Sequence, residues 1–275
     1  MNEPRFTRIV VGLYHDVPDD SIRVAAEVAG LMGLKLIGFF VEEQDLIDLA
    51  AMPFVREFRP FGGGWARIDA EQIARDLAHA SRAAQRLLAA AARESGAASR
   101  FHSARGALAE TIASILRTGD IVIVAEPPHP AAQASPRFET LMRAAFASAA
   151  TVLLVPRRIV RRSGDVVAVA TSPDDPTPAV GAVIAAAARE GLVVVDAVGP
   201  TVEVQAPAGM AGAPKAVRIR PAGTSPEAIM AALATVRERL LVINRQSFAD
   251  NVALALARTR GVPVLVLEPA HRSGG

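Results

Sequence analysis

Short, almost uninterrupted runs of aliphatic residues recur along this chain, and they restrict its fold more than any other feature. Ile9–Leu13, Lys35–Val41, Asp120–Ala125 and Thr151–Val155 are of this kind, as are Asp165–Ala170, Leu192–Val198, Leu240–Ile243 and Val262–Leu267. A strand with one solvated face alternates apolar and polar side chains. A strand apolar on both faces must be covered on both. Helical spacing fills the gaps between runs. After Leu13, Ser21 is placed to cap a helix whose inner face is Ile22, Ala25, Ala26, Val28, Ala29 and Met32, with Gly30 and Gly33 marking its end. Strand, helix and strand in this order predict an α/β fold with a doubly wound parallel sheet.

The plan is used twice. Asp165–Ala170 parallels Ile9–Leu13, Ser172–Pro176 parallels the turn at Val17–Asp20, and Ala179–Arg189 parallels the first helix. Leu240–Ile243, Asn251–Arg258 and Val262–Leu267 then match the strand, helix and strand that end the first half. Residues 157–163, Arg-Arg-Ile-Val-Arg-Arg-Ser, break the pattern and read as a basic linker. The expected organisation is a first domain at 1–156 with an insertion at 43–67, the linker at 157–163, and a shortened second domain at 164–275. Further helices are expected at Glu42–Leu49, Ile68–Glu94, Ala107–Leu116, Phe138–Ser148 and Pro226–Arg237, and strands at Phe101–Arg105 and Lys215–Arg220. The Gly, Pro and Ala-rich stretch Thr201–Pro214 replaces the long excursion of the first half.

Composition removes several classes of function. With no cysteine among 275 residues, disulfide scaffolds, thiolate metal sites and cysteine nucleophiles are excluded. The longest apolar run, Ala179–Ala188, is far short of the roughly 20 residues of a membrane span. The N-terminal stretch lacks a signal-peptide core, so a soluble cytoplasmic protein is expected. The net charge is only +2, and four arginines lie in the linker, which argues against a nucleic-acid partner.

Three segments carry a family resemblance: Arg8-Ile-Val-Val-Gly followed by a turn and an amphipathic helix, Thr118-Gly-Asp-Ile-Val-Ile-Val, and the helix-to-strand stretch Arg143–Pro156, repeated at Val262-Pro-Val-Leu-Val-Leu. Each half resembles the universal stress protein family, whose fold is a five-stranded doubly wound sheet. In that family monomers pair through their last strands. The resemblance therefore implies that 151–155 and 262–267 pair within one chain, as an intramolecular pseudo-dimer. Nucleotide-binding members carry Gly-x2-Gly-x9-Gly-Ser/Thr after the fourth strand, where glycines let backbone N–H groups approach phosphate. This chain has Ala125-Glu-Pro-Pro-His-Pro130 there, and Phe138-Glu139 stands in the place of Gly-Ser. Prolines donate no N–H, and a glutamate at a helix N-terminus repels phosphate. The second half has Asn244-Arg-Gln-Ser and Asp250-Asn251, again without glycines. Where the family places an adenosine-binding Asp, this chain has Tyr14 and Ala170, with Asp16 close by. The resemblance implies a non-catalytic stress-response or regulatory module that needs no cofactor. The alternatives are an ATP- or AMP-binding member with a modified loop, and a structural partner-binding subunit.

Ligands of open parallel sheets bind beyond the carboxyl ends of strands, where strand order reverses. That places Tyr14, His15, Asp16, Glu126 and His129 at one crevice, with Glu139 at the following helix start. A small polar ligand or a metal would suit these residue types, and so would plain solvation, since their spacing matches no metal motif. The other unusual feature is the cluster Phe54, Phe58, Phe61 and Trp65 with Arg56 and Arg59, beside Gly62-Gly63-Gly64. Three readings are open: a lid folded on the sheet, a contact with a partner protein or second subunit as in a homodimer, or stacking on bases or an anionic ligand. Arg75, Arg82, Arg86 and Arg93 form one helical stripe that reads as solvated. No nucleophile-and-base motif, Walker loop or zinc helix is present.

Overall fold

The structure is a computed structural model that describes residues 6–13, 19–42, 44–52, 54–59, 64–197, 216–221, 223 and 225–268. The first half runs β1 (Arg8–Leu13), α1 (Asp19–Met32), β2 (Lys35–Glu42), α2 (Gln44–Ala51), β3 (Arg56–Arg59), β4 (Gly64–Arg67), α3 (Ala70–Ser95), β5 (Ser99–Arg105), α4 (Leu108–Ile115), β6 (Asp120–Ala125), α5 (Pro130–Gln133), α6 (Pro136–Ala147) and β7 (Thr151–Val155). The second runs β8 (Asp165–Ala170), α7 (Thr177–Ala188), β9 (Leu192–Asp196), β10 (Ala216–Ile219), α8 (Pro226–Ala232), β11 (Glu238–Asn244), α9 (Asp250–Arg260) and β12 (Val264–Leu267).

Among the described residues, all strands except β3 and β4 join one 10-stranded sheet, in the order β10-β9-β8-β11-β12-β7-β6-β1-β2-β5. Every pairing in it is parallel except the central one, where β12 meets β7 antiparallel through Val264↔Leu154, Leu265↔Leu153 and Val266↔Val152. The expected pairing of the two last strands is therefore present, and it fuses two five-stranded sheets into one. Fully apolar strands are satisfied because helices cover both faces. On one face, α1, α3 and α7 pack against Leu153, Val155, Leu265 and Leu267. On the other, α4, α6, α8 and α9 pack against Val152, Leu154, Val264 and Val266.

Two helices on the first face approach very closely. A Cβ on Gly30, in the last turn of α1, would lie 2.2 Å from the carbonyl oxygen of Ser95 at the end of α3. Gly30→Ala is expected to push these helices apart and cost about 1–3 kcal/mol. Urea denaturation should show a lower midpoint with an unchanged slope. An unchanged midpoint would show that the approach is dispensable.

Several boundaries differ from the sequence expectation. The first helix begins at Asp19, so Ser21 is a buried first-turn residue rather than its cap, and Asp19 and Asp20 complement the positive helix end. Pro130 opens a short helix, α5, that is not among the helices expected from the sequence, and its missing N–H costs nothing at that position. The helix at 226–237 stops at Ala232, because Glu238 is drawn into β11 to meet Arg260. The linker arginines are not simply solvated. Arg161 reaches Glu238 at 3.8 Å, Arg162 pairs with Asp20 of α1 at 2.6 Å, and the backbone N–H of Arg157 donates to Glu126. Thr201–Pro214 lies outside the described residues. No helix among the described residues is long and apolar enough to cross a membrane.

Candidate functional site

Strand order reverses between β1 and β6 in the first half and between β8 and β11 in the second, and each reversal opens a crevice at the strand carboxyl ends. In the first crevice Tyr14, His15 and Asp16 lie outside the described residues. Glu126 follows β6 directly and is buried. Its Oε1 accepts from Arg258 Nε at 2.6 Å, and its Oε2 accepts from the Arg157 N–H at 2.9 Å. Both carboxylate oxygens are thus engaged toward the central strands. His129 is exposed, one residue before α5, and Glu139 is exposed in the first turn of α6, 3.1 Å from Arg143. The structure does not bring Glu126, His129 and Glu139 onto one ligand position. Among the described residues no three His, Asp or Glu side chains converge as a metal site.

Backbone donors decide what the crevices can do. In the first, the N–H of Glu126 donates to the Val155 carbonyl at 2.8 Å, and Pro127, Pro128 and Pro130 have none to offer. In the second, Arg245 N–H donates to Leu267 O, Gln246 N–H to Asn244 Oδ1 and Ser247 N–H to Asn244 O. A phosphate cradle needs several free N–H groups aimed at one point. The N–H groups of Glu126, Arg245, Gln246 and Ser247 are spent internally. The second crevice is closed further by Asp175, which accepts from Thr171 N–H at 2.9 Å, Thr171 Oγ1 at 3.0 Å and Thr177 N–H at 3.0 Å. Thr171 and Ser247 share a hydrogen bond between hydroxyls. This network was not singled out from sequence. The signal was there in Ser172-Pro-Asp-Asp-Pro-Thr, since an aspartate that bonds backbone two residues on is a turn-former.

The 43–67 excursion behaves differently. After α2 the chain forms an antiparallel hairpin separate from the main sheet, with Arg56 opposite Arg67, Phe58 opposite Trp65 and Arg59 opposite Gly64. Phe58 and Trp65 meet edge to face, ring centroids 5.4 Å apart, the geometry favoured by the ring quadrupoles. Neither is covered by the sheet: Phe58 is 60% exposed, Trp65 67% and Phe54 77%. The reading of these aromatics as a lid folded on the sheet is thereby corrected. Cross-strand stacking satisfies Phe58 and Trp65 locally, and the hairpin shares no strand pairing with the main sheet. Leu49 and Met52 add exposed apolar surface at the end of α2, and Arg56 is exposed beside them. Phe61 lies outside the described residues, and Arg59 is placed in β3 by its main chain. The Arg75, Arg82, Arg86 and Arg93 stripe on α3 is exposed, as expected.

No family model matches the chain, and no curated protein matches its sequence. Its fold is nevertheless similar to solved structures. A universal stress protein from Archaeoglobus fulgidus DSM 4304 superposes with a TM-score of 0.61 at 12% identity, covering 95% of this chain and 97% of that one. A protein from Pseudomonas aeruginosa UCBPP-PA14 assigned to the universal stress proteins superposes with a TM-score of 0.52 at 18% identity, covering 98% and 95% of the two chains. The chain has the fold of the universal stress proteins, with its two sheets joined into one through their last strands.

Proposed function

We propose that this protein is a non-catalytic regulatory module of the stress-response kind that works through protein–protein contact, with the aromatic hairpin as its contact surface and a second copy of this chain as the occupant. The domains are 1–156 and 164–275, joined by 157–163. One observation carries the reading. Of the seven large hydrophobic side chains exposed among the described residues, Leu49, Met52, Phe54, Phe58 and Trp65 fall in the one excursion. Apolar surface concentrated in this way marks an interaction site, whereas scattered exposed residues need no explanation. A two-stranded hairpin is marginal in water, so a face of stacked aromatics on it gains most by being covered. Self-association through the same patch on both copies is the commonest way such a surface is buried. The internally satisfied loops support contact rather than nucleotide binding.

The test is the mass in solution. Light scattering at tens of micromolar should report a dimer for the wild type and a monomer for the Phe58→Ser/Trp65→Ser double variant. Loss of central aromatic contacts costs about 2 kcal/mol or more, or roughly 30-fold in affinity. A wild-type monomer, or a double variant that remains dimeric, would remove the proposal. Calorimetric titration of ATP and AMP into the same sample is expected to give no binding heat.

A further inference from the structure

The central β7–β12 seam has a local twofold. The pairs Val264↔Leu154 and Val266↔Val152 exchange about Leu265↔Leu153, so Val155 and Leu267 are equivalent positions. The loops confirm the correspondence, because Glu126 N–H donates to Val155 O and Arg245 N–H donates to Leu267 O. Glu126 and Arg245 therefore occupy the same place in the two halves with opposite charge. Counting back from Val155 and Leu267 makes Phe146 of α6 equivalent to Arg258 of α9. The buried pairs Ala145 with Ala257 and Ala150 with Val262 keep that register.

Each loop reaches across the seam to the other half, and each finds a different partner. Glu126 takes Arg258 Nε at 2.6 Å. Arg245 donates to the carbonyls of Phe146, Ser148 and Ala150 at 2.9, 3.0 and 2.7 Å, and its guanidinium lies over the Phe146 ring, 5.4 Å from the centroid. Burial pushes this guanidinium down from its usual range, with Glu268 and Asp250 acting in the opposite direction. The carbonyl end of α6 thus receives a cation, as the helix dipole favours.

We infer that these four positions make the seam selective for the unlike half of the same chain. Pairing two first halves would set both Glu126 carboxylates against a phenyl ring and a row of carbonyl oxygens, each losing Arg258 and keeping the Arg157 N–H of its own half. Pairing two second halves would set Arg245 against Arg258 twice, cation against cation, with Glu268 of the same half the carboxylate beside Arg245 and with Arg258 deprived of Glu126. Only the unlike combination gives Glu126 the Arg258 guanidinium and Arg245 the carbonyl end of α6. Complementary charge combined with penalised alternatives is how interfaces acquire specificity. The inference stands apart from the hairpin dimer, which uses another surface.

The experiment keeps the whole protein and cuts it after folding. A protease site is inserted between Arg162 and Ser163, both exposed. The background carries Phe58→Ser and Trp65→Ser so that hairpin association does not contribute. Cut protein is mixed with its ¹⁵N-labelled counterpart until fragments exchange, and complexes are weighed by native mass spectrometry. Unlike pairs should exceed like pairs by at least about tenfold. A smaller ratio overturns the inference. Glu126→Arg should then reduce unlike pairing by at least about tenfold, and adding Arg258→Glu should restore it by a similar factor. Should the single variant fail to fold, the double variant is compared with wild type. A double variant unable to form unlike pairs overturns the code.

Discussion

Arg260→Ala is expected to lower the melting temperature by roughly 6–20 °C, the consequence of about 3–5 kcal/mol lost at a buried charge. The carboxylate of Glu238 is fully buried at the start of β11. Arg260 Nε and Nη2 grip it at 2.5 and 2.7 Å, and Nη2 also donates to the carbonyls of Leu233 and Val236 at 3.0 and 3.1 Å. One guanidinium thereby ties the end of α9 to the connection between α8 and β11. The hydrogen bond to Glu238 raises the Arg260 pKa, against the opposing effect of burial. A raised base keeps its stabilising charge until the solution becomes strongly alkaline, so the pair's contribution should not fall between neutral pH and pH ~10. Removing Arg260 leaves Glu238 without its main partner, since Arg161 lies only at 3.8 Å. Removing both charges is a different matter. Arg260→Met with Glu238→Leu replaces the pair by apolar groups of similar volume, and should recover most of the loss. Scanning calorimetry of the single and double variants checks both statements. A single variant that melts within ~2 °C of wild type would show that the pair adds little.

The second large effect lies at the centre of the seam. Leu153 and Leu265 face each other on the local twofold, both fully buried and both in the same core. Leu153→Ala and Leu265→Ala should each cost about 2–5 kcal/mol, because deleted methyl groups leave a cavity between strands that cannot close up. Their near-equivalent surroundings predict similar losses for the two. The residues share one contact, so the double variant should fall short of the sum by about 0.5 kcal/mol or more. Guanidinium denaturation of the four proteins gives the coupling directly. Strict additivity would mean that the two side chains do not meet, and that the pairing of β7 with β12 is not what holds this region.

The strands were the most legible part of the chain, for a simple reason. A run such as Asp120–Ala125 is apolar at every position, and both its faces are covered in the fold. The resemblance to the universal stress proteins implied that β7 and β12 would meet, and their antiparallel register came from the structure. The ends of the helices were less legible, because they depend on partners elsewhere. Glu238 lies between the expected helix Pro226–Arg237 and the expected strand Leu240–Ile243, and it starts β11 where Arg260, 22 residues on, grips it. Glu126 illustrates the same limit at the candidate site. An acidic residue after the fourth strand of an open sheet is correctly placed for a ligand, but its two oxygens are engaged by Arg258 and the Arg157 N–H. Neither residue lies near Glu126 in sequence. The aromatic excursion shows the converse. Its composition marked it as unusual, while only the hairpin register, with Phe58 opposite Trp65, revealed that the rings satisfy each other and leave an apolar face outward.

What the sequence determined by itself was the strands of the main sheet, their doubling and the doubly wound plan. Those follow from hydrophobic periodicity, which is local and additive along the chain. What only the tertiary structure decided was the fate of the charges. Electrostatic partners are chosen by distance in space, and burial makes the choice expensive to get wrong. Folding thus turned Glu126 from a candidate ligand residue into the partner of Arg258, and gave the linker residues Arg161 and Arg162 partners in Glu238 of the second half and Asp20 of the first.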